Sequence, residues 1–185
     1  MAWKFSPEVL HDIARGVVEI PLSERIPSVV RRVHARYPDL IDPAPRWIFN
    51  NAGGAMGSML ILHASVTEYV IVFGSAVGTE GHSGRFPADD YFMVLHGEQW
   101  AYRPGELEKR VYGPGELHHM PRGVACGYRF PDTCWALEYA RGAIPLMLPF
   151  GLADALTSTL DLPSLGQTLA TYGRHTLRHL LRGRL

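Results

Sequence analysis

The part of the chain that most constrains its fold is residues 47–141, where short β-rich runs alternate with turns of Gly, Pro and Asp. The runs cover residues 58–64, 68–74, 91–101, 123–130 and 134–140. Each run is rich in apolar and aromatic side chains and is bounded by turn residues, as strands are. Many short strands of this kind are typical of a β-barrel or a β-sandwich. We therefore predict such a core for the middle of the chain.

Helices are predicted on the N-terminal side of this core. Ser6 has the chemistry of a helix cap and Pro7 suits the first helical turn, and apolar residues follow at helical spacing. A second helix is expected to begin at Ser23 and to end before Pro38, with one apolar face and one arginine-rich face. The sequence thus predicts a helical region over residues 1–46.

The C-terminal part, residues 142–185, is predicted to form a pair of helices. Residues 144–160 carry one acid, Asp154, among Leu, Met, Phe, Ala and Pro, and the sequence DLP at 161–163 restarts a helix. The second helix has an apolar stripe of Leu165, Leu169, Tyr172, Leu177, Leu180 and Leu181, and a basic end of Arg174, Arg178, Arg182 and Arg184. The pair either lies on a membrane surface, with its arginines at the headgroups, or covers the open end of the barrel or a subunit interface. Both arrangements can hold at once.

Length and composition set the remaining bounds. A chain of 185 residues, 46% of them hydrophobic, can bury one good core, so we predict a single domain over residues 1–185. The formal net charge is zero, which argues against nucleic acid as a partner because binding phosphates needs a basic excess. Cys126 and Cys134 are too sparse for a disulfide framework and are expected to be free thiols. No apolar run is long enough to span a bilayer and the N-terminus has no signal-peptide core, so we expect a protein that is not integral to a membrane.

Glu138 is the residue that points most directly to a functional site. It is the one acid in residues 134–140, a run that otherwise has the character of a buried strand. Alternating strand geometry places Cys134, Ala136 and Ala140 on the same face as Glu138, and their small side chains leave space beside the carboxylate. A lone carboxylate in apolar surroundings is costly, so it is expected to have a partner or a chemical role.

The partner of Glu138 can be of two kinds. The neighbouring acids Asp89 and Asp90 would give a pair of carboxyl groups in one pocket. Alternatively, Arg141 or Arg85 would give a buried ion pair with a purely structural role. Both interpretations are open on the residues alone.

The histidines suggest a competing metal chemistry. The sequence PGELHH at 114–119 resembles the second metal-binding stretch of cupin barrels, in which a turn presents one His, here His118, to a metal. A cupin site also needs a His-x-His motif, which this chain lacks, since His63, His82 and His96 are isolated. We therefore predict no metal site, and a metal-dependent cupin enzyme is kept only as a third hypothesis.

Four long strings carry a specific family resemblance. They are residues 51–57 (NAGGAMG), 62–69 (LHASVTEY), 73–85 (FGSAVGTEGHSGR) and 135–145 (WALEYARGAIP). The chain resembles the family of fungal Δ8–Δ7 sterol isomerases and the sigma-1 receptor, in register over residues 47–172. Within that family, residues 88–100, 120–123 and 146–154 are more similar to the isomerases than to the receptor.

The resemblance implies an α+β fold: a cupin-like β-barrel that binds no metal, with N-terminal helices and two C-terminal membrane-facing or capping helices, assembled as a homotrimer. The two essential acids of the family fall on Asp90 and Glu138. The pocket lining of the family falls on Met59, Ile61, Tyr69, Ile71, Phe73, Phe130, Leu148 and Tyr172. Tyr69 would donate a hydrogen bond to Glu138, whereas Glu68 points away and is expected to be structural.

Two departures from the family pattern qualify the resemblance. Family members usually begin with a membrane-spanning helix, whereas residues 1–20 here are amphipathic and charged, so we expect a member that lacks this transmembrane helix. Ala55 stands where the receptor carries a large aromatic side chain, and this change is expected to widen that side of the pocket.

The implied activity is the shift of a sterol or steroid-like lipid double bond from Δ8 to Δ7. One proton is added to an alkene carbon and another is removed from a neighbouring carbon, through a carbocation and without a cofactor. Two carboxyl groups held in an apolar cavity share one proton near neutral pH and so supply an acid and a base. Which of Asp90 and Glu138 is the acid does not follow from the sequence, and Asp89 would replace Asp90 if the strand register shifted by one residue.

The main alternative is a non-catalytic binder of the sigma-receptor type, which would keep both acids to hold a hydrophobic amine or a sterol. Either function places the protein at a membrane as a peripheral protein. The expected compartment is the endoplasmic reticulum in a eukaryote and the cytoplasmic face of the membrane in a bacterium.

Overall fold

The structure, a computed structural model, describes residues 3–181. Helices precede and follow a set of ten short strands in this part of the chain. The helices are α1 (Pro7–Arg15), α2 (Leu22–Arg36), α3 (Leu148–Asp154) and α4 (Leu162–Leu181), with a 3₁₀ turn at Ile144–Leu146 and a π-helical turn at Ala155–Thr159. The strands are β1 (Trp47–Ala52), β2 (Ala55–Ala64), β3 (Glu68–Ser75), β4 (Thr79–His82), β5 (Ala88–His96), β6 (Gln99–Tyr102), β7 (Arg110–Tyr112), β8 (Leu117–Met120), β9 (Gly127–Phe130) and β10 (Cys134–Gly142).

The strands form two antiparallel sheets that face each other. The larger sheet has the order β1-β2-β3-β10-β5-β8 and the smaller one has the order β4-β9-β6-β7. Phe130 of the smaller sheet packs between Phe73 and Phe92 of the larger one, with ring centroids 6.1 and 5.8 Å apart. The predicted α+β class is therefore confirmed, with the described strands paired in two facing sheets.

The larger sheet is buried on both faces, as β10 illustrates. Leu137 and Tyr139 point toward α1 and α2 and belong to the core that these helices form. Ala136 and Cys134 point the other way, toward the smaller sheet. This alternation is the one predicted for residues 134–140, and it sends Glu138 into the space between the sheets.

Helix α1 follows the predicted capping chemistry, whereas α2 has Pro21 at its cap position and no side-chain cap. The Ser6 hydroxyl accepts a hydrogen bond from the Val9 backbone N–H at 3.2 Å, and Pro7 opens α1. Helix α2 begins one residue before the expected Ser23 and ends at Arg36. These helices cover one face of the larger sheet, so the other face is left to form a site.

Glu68 ties the N-terminal segment to this sheet. Its carboxylate is 1% exposed and accepts hydrogen bonds from the backbone N–H groups of Lys4 and Phe5 at 3.1 and 3.3 Å. It also accepts one from the Tyr139 hydroxyl at 2.7 Å. The residue thus has the structural role expected from its place on the helix side of β3.

The C-terminal helices lie against β1 and β2. Leu160 interrupts the helical backbone between them, because it adopts a left-handed conformation (φ 52°). Helix α4 therefore starts in a new direction. Arg174 and Arg178 lie on α4, whereas Arg182 and Arg184 of the predicted basic end are outside the described residues. Within residues 3–181, the helices are all too short or too polar to cross a bilayer.

Candidate active site

The site is built around two carboxyl groups on adjacent strands of the larger sheet. Glu138 lies on β10 opposite Phe92 of β5, and Asp90 lies on β5 opposite Ala140 of β10. Directly opposed residues point to the same side of an antiparallel sheet, so the two acids are diagonal neighbours on one face. That face is the one turned toward the smaller sheet.

Tyr69 is the hydrogen-bond partner of Glu138. It lies on β3 opposite Ala140, and its hydroxyl donates a short hydrogen bond to Glu138 Oε1. Asp90 differs, because its Oδ1 atom is buried and has no hydrogen-bond partner among residues 3–181. The two carboxyl groups therefore occupy unequal environments.

Burial raises the pKa values of both carboxyl groups. Burial raises the pKa of the Glu138 carboxyl to about 7, although the hydrogen bond from Tyr69 lowers it in part. Burial also raises the pKa of Asp90 well above its ordinary value, and the charge on Glu138 raises it further. The hydrogen bond from Tyr69 stabilises the charged form of Glu138, whereas Oδ1 of Asp90 has no such donor among residues 3–181, so Glu138 ionises first and Asp90 keeps its proton. Near neutral pH the pair thus holds one proton.

An apolar cavity surrounds the acids. The cavity is partly open to solvent, and its empty volume, which counts that open space, is about 1120 Å³. Nine of the residues predicted for the site line it: Met59, Ile61, Tyr69, Ile71, Phe73, Asp90, Glu138, Leu148 and Tyr172. The tenth, Phe130, is 1% exposed and packs behind the wall formed by Phe73 and Phe92.

The alternative partners of Glu138 lie elsewhere. Arg141 is on the opposite face of β10 and donates to the Tyr91 hydroxyl at 2.8 Å, and Arg85 donates to the backbone carbonyl of Gly123. Asp89 also faces away from the cavity and accepts two hydrogen bonds from Arg122, each at 3.2 Å. The register of β5 therefore brings Asp90, and not Asp89, beside Glu138.

Ala55, where the receptor was expected to carry a large aromatic side chain, lies outside the cavity lining. It is 1% exposed at the start of β2 and packs against Gly81, outside the set of residues that line the cavity. Ala55 itself is therefore not part of the cavity wall.

Several lining residues were not anticipated from the sequence. Tyr128 and Gln99 of the smaller sheet line the cavity, as do Phe92, Met120 and the α3 residue Phe150. Tyr128 lies two residues before Phe130 on β9, so the two side chains share one face of the strand. This spacing could have identified Tyr128 as a lining residue from the sequence. Burial raises the pKa of the Tyr128 phenol, and the nearby charges of Glu138 and Asp90 raise it further. Nothing in the sequence pattern indicated Gln99, because its hydrogen-bond partner His118 becomes adjacent only in the folded chain.

The C-terminal helices close one end of the cavity. Leu148 and Phe150 of α3 and Tyr172 of α4 contribute to its wall. The Tyr172 hydroxyl donates to the backbone carbonyl of Ser65 at 2.8 Å, which fixes α4 to the β2–β3 connection. His175 lies 3.6 Å from Asp42 and adds a second contact to the same helix.

The histidines have protein partners. His118 shares a hydrogen bond with Gln99 at 2.9 Å, His63 with the Leu40 carbonyl at 3.0 Å, and His82 with the Gly84 backbone N–H at 2.9 Å. Among residues 3–181, no three His, Cys, Asp or Glu side chains converge to form a metal-binding group. The cysteines Cys126 and Cys134 are buried free thiols.

Comparison with known proteins adds the following findings. The protein-family model described as ERG2 and Sigma1 receptor like protein matches residues 1–184. A C-8 sterol isomerase of Pyricularia oryzae is 62% identical over 138 residues, which are 75% of this chain and 62% of that protein, so the chain spans less than two thirds of that relative. A C-8 sterol isomerase of Neurospora crassa is 50% identical over 97% of this chain and 72% of its own length.

More distant similarities extend the comparison. The sigma non-opioid intracellular receptor 1 of Gallus gallus is 36% identical over 95% of this chain and 80% of its own length. Among solved structures, KdgF from Halomonas sp. aligns with 56% of this chain and 93% of its own, at 16% identity and a TM-score of 0.46.

Proposed function

This chain belongs to the family of ERG2 and Sigma1 receptor like proteins, and on that premise we propose that it is a sterol isomerase that moves a ring double bond from Δ8 to Δ7. The observation that carries the proposal is the pair Asp90 and Glu138, which lie side by side in an apolar cavity, where burial raises the pKa of both carboxyl groups. The relatives named C-8 sterol isomerase support the choice of a sterol as the substrate.

The unequal environments of the two acids suggest their roles. Asp90 keeps its proton and would protonate the alkene at C9, which leaves a tertiary cation at C8. Glu138 is ionised first and would remove the proton from C7, so that the double bond forms between C7 and C8. The pair still holds one proton after this step. Glu138 then releases its proton to water and Asp90 takes one from water, through the part of the cavity that is open to solvent, which restores the starting state. No cofactor is needed for this balance.

The surroundings of the acids suit a cationic intermediate. At C8 the positive charge would lie in a cavity of low polarity, where the negative charge left on the pair stabilises it more strongly than it would in water. Tyr69 holds the Glu138 carboxylate in place. Substrate and carbocation would thus meet a preorganised charge, which lowers the barrier to proton transfer.

A second candidate function is non-catalytic binding of hydrophobic amines or sterols, favoured by the relative from Gallus gallus. The same two acids would hold an ammonium group in that case. Calorimetry with a hydrophobic amine and its neutral carbon isostere tests the cation site that both functions share. We expect the amine to bind more tightly, and removing one acid to cost about 2–5 kcal/mol of binding. Equal affinities of the amine and the isostere would contradict both candidates.

We further propose that the protein is a homotrimer and a peripheral membrane protein, at the endoplasmic reticulum in a eukaryotic source and at the cytoplasmic face of the membrane in a bacterial one. Large apolar side chains are exposed on the C-terminal helices: Leu146, Leu156, Leu160, Leu162, Leu169, Leu177, Leu180 and Leu181. A second exposed group lies on the β1–β2 hairpin and consists of Trp47, Phe49 and Met56. A membrane would cover the first group and a neighbouring subunit the second. Analytical ultracentrifugation at several detergent concentrations tests the trimer, and a monomer throughout would contradict it.

The direct test of the activity is incubation of the purified protein with a Δ8 sterol, without added metal or cofactor. NMR of the extracted product locates the double bond. We expect the Δ7 isomer to form catalytically, at many turnovers per protein molecule. Tight binding of the sterol without any change of the double bond would favour the binding protein instead.

A further inference from the structure

Gln99 is a buried amide that the proposed proton transfer does not use. It is the first residue of β6, it is 2% exposed, and it lines the same cavity as Asp90 and Glu138. Burying an amide is costly unless its polar atoms find partners. One of its atoms has such a partner, since Oε1 lies 2.9 Å from Nδ1 of His118.

His118 is built to hold this amide in one orientation. Its ring is 4% exposed and stacks on Tyr112, with ring centroids 4.4 Å apart and planes 13° apart. Burial lowers the pKa of His118 to about 4, and the nearby charges of Arg103 and Arg110 lower it further. The imidazole is therefore neutral, and with Oε1 of Gln99 facing it as the acceptor, Nδ1 carries the proton and donates it.

The other half of the Gln99 amide is left for a ligand. No acceptor among residues 3–181 takes a hydrogen bond from its Nε2 atom, although the side chain forms part of the cavity wall. If the amide were reversed, the free atom would be an acceptor instead of a donor. A hydroxyl group suits both cases, because it donates and accepts.

The strand register sets the spacing between the His118 position, beside this amide, and Asp90. His118 lies opposite Phe92, and Asp90 lies opposite Met120, all on the cavity face. The His118 position is thus two residues along β5 from Asp90, or roughly 7 Å at the rise of an extended strand. In a sterol, the hydroxyl-bearing carbon and the Δ8 double bond are likewise separated by the width of the first two fused rings.

The opposite end of the cavity has a different character. It is lined mainly by apolar residues of the 3₁₀ turn and α3, namely Ile144, Met147, Leu148, Phe150 and Leu152. The Tyr172 hydroxyl at this end already donates to the Ser65 carbonyl. This end therefore suits the aliphatic tail of a sterol, and the Gln99 end suits its alcohol.

We propose that Gln99, positioned by His118, binds the 3-hydroxyl group of the sterol and so sets both the orientation of the substrate and the preference for an alcohol. The inference rests on the proposed sterol function and deepens it. Because the contact is made equally in the ground state and the transition state, it acts on KM more than on kcat.

The test compares a Δ8 sterol with its 3-deoxy analogue. For the wild type we expect kcat/KM to favour the alcohol about tenfold, the effect of one net hydrogen bond of ordinary strength. In Gln99→Met, which keeps the length of the side chain, we expect this ratio to fall close to one, mainly through KM. The matched control is Gln167→Met, the same exchange at an exposed position of α4, which should keep the tenfold ratio.

Two variants of His118 test its positioning role. His118→Asn keeps a side-chain N–H near the position of Nδ1 and should retain most of the preference for the alcohol. His118→Leu removes this donor and should lose the preference. A purely structural role would lower the activity on both sterols together and leave their ratio unchanged, a result that would overturn the proposal.

A binding measurement separates this inference from the isomerase function. Calorimetry with a saturated sterol alcohol and its 3-deoxy analogue needs no turnover. If the wild type isomerises no sterol but still prefers the alcohol and loses that preference in Gln99→Met, the isomerase proposal fails and the hydroxyl site stands. Equal binding of alcohol and deoxy sterol to the wild type overturns the hydroxyl site. If Gln99→Met does not fold, a wild-type structure with the saturated alcohol decides, because a hydroxyl near Tyr172 instead of Gln99 overturns it too.

Discussion

At the scale of single residues, Asp90 and Glu138 make the fold less stable while they make proton transfer possible. Burial raises the pKa of Glu138 from 4.5 to about 7, so between these values the folded protein binds a proton that the unfolded chain has lost. Stability therefore falls as pH rises through this window, by about 1.4 kcal/mol for each pH unit. Above pH 7 this loss is complete.

The first prediction concerns the neutral variants Glu138→Gln and Asp90→Asn. Each should abolish isomerisation, and each should unfold at higher denaturant concentration than the wild type at pH 7.5. The gain in stability of Glu138→Gln should shrink as pH is lowered toward 4.5, because the wild-type carboxyl is then neutral too. Urea titrations at several pH values measure this. Near-normal turnover in either variant would remove it from the catalytic pair.

Tyr69 tunes the base without taking part in the proton balance. Its hydrogen bond to Glu138 is the one factor that lowers the pKa of this carboxyl against the effect of burial. In Tyr69→Phe we therefore expect the acidic limb of the pH–rate profile, which reports ionisation of Glu138, to move to higher pH. A profile of unchanged position, with only a lower maximum, would mean that Tyr69 acts through packing alone.

At the scale of elements, β3 illustrates how one strand serves two purposes. Tyr69 faces the cavity, whereas Glu68 accepts hydrogen bonds from the N-terminal segment and from Tyr139. In Glu68→Gln an amide nitrogen must face these donors, so we expect a loss of about 1–3 kcal/mol in the free energy of unfolding. The exposed Glu80→Gln on β4 is the matched control and should change it by about 0.5 kcal/mol or less.

Measuring kcat together with the free energy of unfolding separates an effect on catalysis from an effect on stability. Glu68→Gln should keep its kcat at temperatures where it is fully folded, because the residue lies on the helix side of the sheet. A fall in kcat with no change in stability would contradict this division of the strand.

The sequence predicted some elements and missed others for identifiable reasons. The alternation along residues 134–140 predicted the correct face for Glu138. Successive side chains of a strand point to opposite faces even when both faces are buried. The single strand expected over residues 91–101 is in fact β5 and β6, since Gly97 turns the chain with φ 75°. Residues 123–126 precede β9 and are not strand.

Other elements could not be predicted from the sequence pattern. Strands β7 and β8 have three and four residues, too few to establish a period of two. The bond between Gln99 and His118 joins β6 to β8 across 19 residues and depends on how the two sheets meet. No local pattern encodes such a contact, so the sequence alone did not indicate Gln99 as the partner of His118.

At the scale of the whole molecule, the exposed leucines of α4 distinguish a membrane surface from a lid that only covers the cavity. Leu169 and Leu177 are 46% and 57% exposed. Fully burying a Leu side chain is worth about 1.5–3 kcal/mol, so replacing either by Ser should weaken binding to neutral liposomes about tenfold or more. Leu107→Ser, on a loop of the smaller sheet where the side chain is fully exposed, is the control. Equal liposome binding by all three variants would contradict membrane contact through α4.

The proposed reaction depends on proton exchange between solvent and the pair Asp90 and Glu138. Isomerisation of a Δ8 sterol in D₂O is therefore its most direct test, with the product examined by NMR and mass spectrometry. For the wild type we predict a Δ7 sterol with one deuterium at C9, formed without added metal or cofactor, and no such product from Asp90→Asn or Glu138→Gln. A Δ7 product without deuterium at C9, or unchanged turnover in both variants, would contradict the proposed transfer of protons between Asp90, the substrate and Glu138.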